Sequence, residues 1–268
     1  MSEIAIIMTL HNRERFVEAA VRSVLTQSWA DFTLHVVDDA SSDSGPQIVE
    51  RLAASDARVR LHREPRRGLV GTLRRAHEHA LADPTVRYVG WVDSDDLLVR
   101  TALEETRAAL ESDARAGLVF TDHVRIDEHS RPLPGPSAST RACTPDALLT
   151  ELLSFQFRLF RREVWERLER EEPWRGAIDA SLTASPDYDF CLRASEVTPF
   201  VHVARPLYCY RQHAGQVSNA RRVEQIENSA RAVREALRRR GLSDRYELKV
   251  TLISRFEIAE RRQRPTDG

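Results

Sequence analysis

Over the first 130 residues the apolar positions switch repeatedly between a run of strand type and a helical repeat. Glu3 to Thr9 (EIAIIMT) is short, β-branched and apolar, and predicts a buried strand. Arg15 to Gln27 then places Phe16, Ala20, Val21, Val24 and Leu25 on one helical face. Phe32 to Val37 predicts a second strand, ending in Asp38-Asp39. Pro46 suits the first turn of a helix running to Ala54. Val59 to His62 is a third strand, Leu69 to Ala82 a helix, and Arg87 to Val92 a fourth strand, followed by Asp93-Ser94-Asp95-Asp96. Thr101 to Ser112 is helical and Gly117 to Thr121 a fifth strand. Strand, helix, strand repeated in this way predicts an α/β fold: a mostly parallel, Rossmann-like sheet with right-handed crossovers and helices on both faces.

Arg131 to Pro136 (RPLPGP) interrupts the pattern. It divides the chain into an α/β half over residues 1–130, a second half of the same domain over 131–218, and a helical extension over 219–268. The second half carries helical stretches around Asp146 to Leu153, Arg162 to Arg170 and Asp187 to Ala194, then a strand-like Phe200 to Tyr210. The extension is expected to be helical over Arg222 to Arg240 and Tyr246 to Arg262.

Composition narrows the class. The chain has 268 residues, enough for a large core. With 41 acidic and 40 basic side chains it has no general pull toward nucleic acid, so any anion-binding surface must be local. Three scattered cysteines make neither a disulfide framework nor a CxxC metal site and imply a reducing compartment. The apolar run Ile4 to Leu10 is far short of a membrane span, and no signal-peptide pattern is seen. The expectation is a cytoplasmic protein, with peripheral membrane contact open to the Arg238 to Arg240 run and a solvated helix face its competing reading. Oligomeric state is not encoded legibly. Lys249 is the single lysine, a bias that reads as genome composition.

In an open parallel sheet, ligands bind beyond the carboxyl ends of the strands. Asp38-Asp39 and Asp93/Asp95/Asp96 both follow strands, so two carboxylate clusters should face one crevice. Their mutual repulsion argues for a divalent cation, with turn formation and helix capping as the competing reading. A dinucleotide site is excluded, because Thr9 to Glu14 holds no glycine and no Walker lysine loop follows.

The order IMTLHNRERFVEAAVRSVLTQSWADFTLHVVDDASSDSG, GLVGTLRRAHEHA, YVGWVDSDDLL, SPDYDFCLRAS and PLYCYRQHAGQVS resembles the family 2 inverting glycosyltransferases of the GT-A fold over roughly Ile4 to Ser218. The resemblance implies a nucleotide-sugar donor, a hydroxyl acceptor and a divalent cofactor, Mn²⁺ or Mg²⁺. By position, Thr9 matches the residue beside the nucleotide, and Asp39 the carboxylate that accepts from the uracil N3–H. Asp93 and Asp95 match the DxD motif, Asp95 at the metal and Asp93 at the ribose or metal shell. Asp187 matches the catalytic base, which enclosure by Tyr188 and Phe190 should make more basic. Arg211 and His213, in Tyr210-Arg211-Gln212-His213, match an element that approaches the diphosphate or the metal. Pro186 stands where the family commonly has Glu, and the family's Arg-Asn is out of register at Leu73-Arg74-Arg75, which leaves Arg67 a nucleobase or phosphate contact against a surface salt bridge. Asp189 is expected to cap, or to pair with Arg193; Trp174 is the best candidate for an acceptor platform among the tryptophans, whereas Trp91 is expected in the core. Two further readings compete: a nucleotidyltransferase, which would want a glycine-rich loop after the first strand, and a non-catalytic nucleotide-sugar binder.

Overall fold

The structure, a computed structural model, describes residues 2–135, 144–150, 156–216 and 221–250. In chain order its elements are β1 (Ile4–Leu10), α1 (Val17–Leu25), β2 (Phe32–Asp39), α2 (Gly45–Ser55), β3 (Val59–Glu64), α3 (Gly68–Leu81), β4 (Tyr88–Trp91), β5 (Leu97–Leu98), α4 (Ala102–Ser112) and β6 (Leu118–Ile126). They continue as α5 (Ala147–Thr150), β7 (Arg158–Arg161), α6 (Arg162–Glu171), α7 (Pro186–Val197), β8 (Phe200–Arg211) and α8 (Arg222–Arg239).

One eight-stranded sheet runs β3-β2-β1-β4-β7-β6-β8-β5. Its first four strands are parallel, as the alternating pattern predicts. Beyond β4 the sheet is mixed: β7 inserts antiparallel between β4 and β6, while β6 and β8 pair parallel. The four-residue β7 abuts α6 without a turn, so its short RLFR stretch gives no period of its own to read. The sheet crosses the division near residue 130, joining both halves.

β1 is buried on both faces, which is why it reads as a continuous apolar run. Ile4, Ile6 and Met8 pack with Val17, Val21 and Val24 of α1 and with Leu103 and Leu110 of α4. Ala5 and Ile7 face the other core, with Leu73 and Ala76 of α3, Trp165 and Leu168 of α6, Phe190 and Leu192 of α7, and Val233 and Ala236 of α8. A Cβ at Gly90 in β4 would come within 2.8 Å of Ile6 and 2.9 Å of Phe157, so a side chain is excluded where β4 meets the residues leading into β7.

The helical extension is therefore no appendage, because α8 supplies part of the second core. Helix is found over Arg222–Arg239; Tyr246 to Val250 are not helical, and the rest of the expected Tyr246 to Arg262 helix lies outside the described residues. Only Ala147–Thr150 of the expected helix around Asp146 to Leu153 is described. Among the described residues no helix is long and apolar enough to cross a membrane.

Candidate functional site

The carboxyl ends of β1, β2 and β4 open into a cleft of about 560 Å³. Thr9, Asp39, Asp93, Asp95 and Asp187 all line it, joined by Arg13, Arg66, Arg158, Gln216, Arg221 and others. Residues read at separate places along the chain thus converge on one recess, in the position an open α/β sheet offers.

Asp39 ends β2 and is 3% exposed. Its Oδ1 accepts from the backbone N–H groups of Arg67, at 2.6 Å, and Gly68, at 3.2 Å. Its Oδ2 accepts from Nη1 of Arg66 at 2.5 Å. Helix α3 has no side-chain cap of its own, so Asp39 serves its N-terminus from another strand, with the charge favourable to the helix dipole. Arg66, not Arg67, turns into the cleft; the Arg67 guanidinium pairs with Glu64 at 3.3 Å, the surface salt bridge weighed against a ligand role.

The turn after β4 carries three acids. Asp95 Oδ2 lies 2.9 Å from Arg13 Nε and 3.0 Å from His213 Nε2. Burial alone would raise the Asp95 carboxyl, but the His213 hydrogen bond and the Arg13 charge outweigh it and hold the group below its ordinary range. Asp93 is shifted the other way, by enclosure in the recess and then by the Asp95 charge, although solvent reaching it along the cleft limits the effect. Asp96 is buried; enclosure and its two acidic neighbours push it well up while its Oδ1 accepts from the Arg211 N–H at 2.7 Å.

Arg211 does not reach the cleft. Its Nε donates to the Asp95 carbonyl at 2.6 Å, and its Nη1 to the Asp127 carbonyl at 3.1 Å and to Ser130 Oγ at 2.9 Å. The guanidinium thus fastens the β4 turn to the turn after β6, a structural use in place of the diphosphate contact expected of it. His213 packs against Phe16 with ring centroids 4.6 Å apart and planes tilted by 43°, which fixes the imidazole against Asp95.

Asp187 stands in the first turn of α7 behind Pro186, a residue preorganised for a helix start. The preceding Ser185 is left-handed, at φ 53°, a strain held by its hydroxyl's contacts with the Gln225 carbonyl and the Ser229 hydroxyl of α8. Asp187 is 46% exposed, with Arg158 Nη2 3.4 Å away. The enclosure expected from Tyr188 and Phe190 is absent, since both rings point into the core. Arg158 is itself buried, over the Trp91 ring at 4.7 Å, and Trp91 is a core residue as expected. Asp189 does pair with Arg193, at 3.1 Å, and also with Arg175 at 3.0 Å. Trp174 is 75% exposed and does not line the cleft.

Arg13, Arg66 and Arg158 are the charged residues with side-chain partners at the site's acids that the sequence does not single out. Arg13 is the most accessible of them to sequence reasoning, because it lies three residues beyond β1 at the sheet's carboxyl edge. Among the described residues no group of three or more histidines, cysteines and acids is arranged to hold a metal unaided.

A family model described as Glycosyl transferase family 2 matches residues 5–168. Chondroitin synthase of Escherichia coli is 26% identical over 239 residues, covering 89% of this chain and 33% of that protein. Hyaluronan synthase of Pasteurella multocida is 23% identical over 240 residues, covering 90% of this chain and 24% of that protein. The chain thus spans about a third or less of the length of these relatives. Among solved structures, residues 1–349 of S. aureus TarS in complex with UDP-GlcNAc superpose with a TM-score of 0.65 at 17% identity, covering 92% of this chain and 77% of that one. The mannosyltransferase PcManGT from Pyrobaculum calidifontis, in complex with GDP-Man and Mn²⁺, gives a TM-score of 0.65 at 18% identity, covering 88% and 64%. These likenesses show the fold, an α/β GT-A architecture.

Proposed function

Because the chain belongs to glycosyl transferase family 2, we propose that it transfers a sugar from a nucleotide donor, a UDP-sugar, to a hydroxyl acceptor with inversion at the anomeric carbon. The observation that carries this reading is the convergence of Asp39, Asp93, Asp95 and Asp187, from three separate stretches of chain, on a single cleft. The nucleotide sugars bound by the two solved neighbours support the donor class.

Asp187 is the base in this reading. The acceptor oxygen attacks the anomeric carbon from the face opposite the diphosphate, its proton passes to an Asp187 carboxylate oxygen, and the bond from that carbon to the phosphate oxygen breaks, releasing the nucleoside diphosphate. Arg158 orients the carboxylate from below. Asp39 selects a nucleobase edge that donates, with the exposed Arg66 side chain giving way to it. Thr9 and Asp93 line the donor path between the two.

The residues present fit a divalent cation such as Mn²⁺ or Mg²⁺. Asp95 and His213, whose Oδ2 and Nε2 lie 3.0 Å apart, would hold it. When bound there, the ion would supply Lewis-acid stabilisation of charge on the leaving diphosphate.

The test is to incubate the full chain with a panel of nucleotide sugars, with and without Mn²⁺, and to follow nucleotide release. Metal-dependent release from one donor is expected, and Asp187→Asn should lower the rate on the order of 10²-fold or more while leaving donor binding intact. Release that is unaffected by Asp187→Asn sinks the assignment of the base. Nucleotide retained without turnover by wild type would make the chain a binder instead.

A further inference from the structure

Arg13 has no part in the reading above, yet it occupies the atom on which that reading depends. Its Nε sits 2.9 Å from Asp95 Oδ2, the same oxygen that faces His213. Its other contacts are to backbone carbonyls, Asn12 at 3.1 Å and Gly215 at 3.1 Å, which water can replace. The side chain lines the cleft and is 19% exposed, so it has somewhere to go.

Its root, by contrast, is fixed. The Arg13 carbonyl accepts from the N–H groups of Phe16 and Val17, both at 2.9 Å, which start α1. The preceding Asn12 is left-handed, at φ 52°, a conformation that Asn tolerates better than most residues. It is tied to the loop after β2 by its N–H to Ser41 Oγ at 3.0 Å and by Oδ1, which accepts from the Ser42 N–H at 2.8 Å. Only the guanidinium has to move, about a backbone that stays put.

Resting on the donor and cation reading, we propose that Arg13 is an internal counter-cation: a divalent ion entering at Asp95 displaces its guanidinium, which then pairs with the diphosphate of the donor. One unit of positive charge on Asp95 gives way to two, and the released side chain meets the anion that arrives with the ion. The planar fork of arginine suits both partners, carboxylate first and phosphate second. The exchange couples the two ligands: the ion pays the cost of opening the salt bridge, and the diphosphate recovers it.

The coupling predicts opposite signs for two bindings measured on one variant. In calorimetry on the full chain without nucleotide, Arg13→Ala should bind Mn²⁺ about threefold more tightly than wild type, since a partly exposed ion pair no longer competes. With Mn²⁺ saturating, the same variant should bind UDP about tenfold more weakly, the worth of a charged hydrogen bond. Arg13→Gln, whose shorter side chain keeps a neutral N–H donor at the position of Nε without the charge, should follow the same pattern and serves if Arg13→Ala does not fold. Weaker Mn²⁺ binding in both variants would overturn the exchange and make Arg13 a support for Asp95, and unchanged UDP affinity would overturn the phosphate contact. Failure of wild type to bind either Mn²⁺ or UDP overturns the functional reading itself, and the exchange falls with it.

Discussion

Asp39 shows how one side chain can be legible for one reason and used for another. As the second acid after a strand, it stands out as a ligand for a donating base edge. In the folded chain its carboxylate also takes the two N–H groups that open α3, from a position that is 3% exposed. Asp39→Asn replaces one acceptor oxygen by a donor facing other donors. It should cost about 1–3 kcal/mol of stability, apart from any effect on nucleotide binding. Urea unfolding at neutral pH would measure it, and an unchanged midpoint would confine Asp39 to ligand recognition. His213 was legible from its motif, and lies against Asp95. Arg211, from the same motif, went to the interior instead, because the carbonyls of Asp95 and Asp127 needed a donor and a guanidinium can satisfy several at once. A short motif shows which residues travel together, but not which of them faces outward.

At the scale of elements, α3 and the strands beside it carry histidines that must stay neutral. The Trp91 indole N–H donates to His77 Nε2 at 2.7 Å. His77 Nδ1 lies 2.8 Å from the Leu73 carbonyl and must donate to it, so the ring has no site for a second proton. Burial pushes His77 down to about 3. Burial, then the neighbouring His62, pushes His35 to about 3 as well, with the His35 and His62 rings parallel and their centroids 5.3 Å apart. In the unfolded chain both titrate near 6.5, so the unfolded state takes up protons first as pH falls. Their contribution is complete above about 6.5 and is lost progressively as pH drops from there toward 3. Each ring should remove about 1.4 kcal/mol by pH 5.5, roughly 3 kcal/mol for the pair. His62, pushed down to about 4 by burial, adds to the same dependence, so urea unfolding of wild type and His35→Gln at pH 7.5 and 5.5 would isolate one share, the variant losing about 1.4 kcal/mol of it. Equal pH sensitivity in both would show that His35 is protonated in the fold. α1 to α4 and α6 to α8 were legible because each carries at least two turns of apolar repeat, and β1 and β2 because each is a full apolar run. β7 was not, because its four residues run straight into α6 with no turn signal between them.

Over the whole molecule, the cleft depends on a segment that sequence reading set apart. Helix α8 lends Ala232, Val233, Ala236 and Leu237 to the core, Ser229 to the strained Ser185 before Asp187, and Gln225 to the cleft wall. Removing residues 217–268 would uncover that core face, a loss on the order of 5 kcal/mol, comparable with the whole stability of a typical domain. The shortened chain should lose cooperative urea unfolding, not merely activity; a transition like that of the full chain would return α8 to the status of an attachment. The periodicity of this segment announced a helix, but its docking was invisible, since an amphipathic face does not name its partner.

The place of β7 in the sheet has a consequence for how the chain is made. Synthesis delivers β1 to β4 well before Arg158–Arg161, so Tyr88–Trp91 leaves the ribosome with one flank satisfied by β1 and the other bare. A hydrophobic flank left open is a template for a wrong neighbour, including the same stretch of another nascent copy. Until β7 pairs with β4 there is no Arg158 beside Asp187, so the recess is completed only after Arg158–Arg161 has been made.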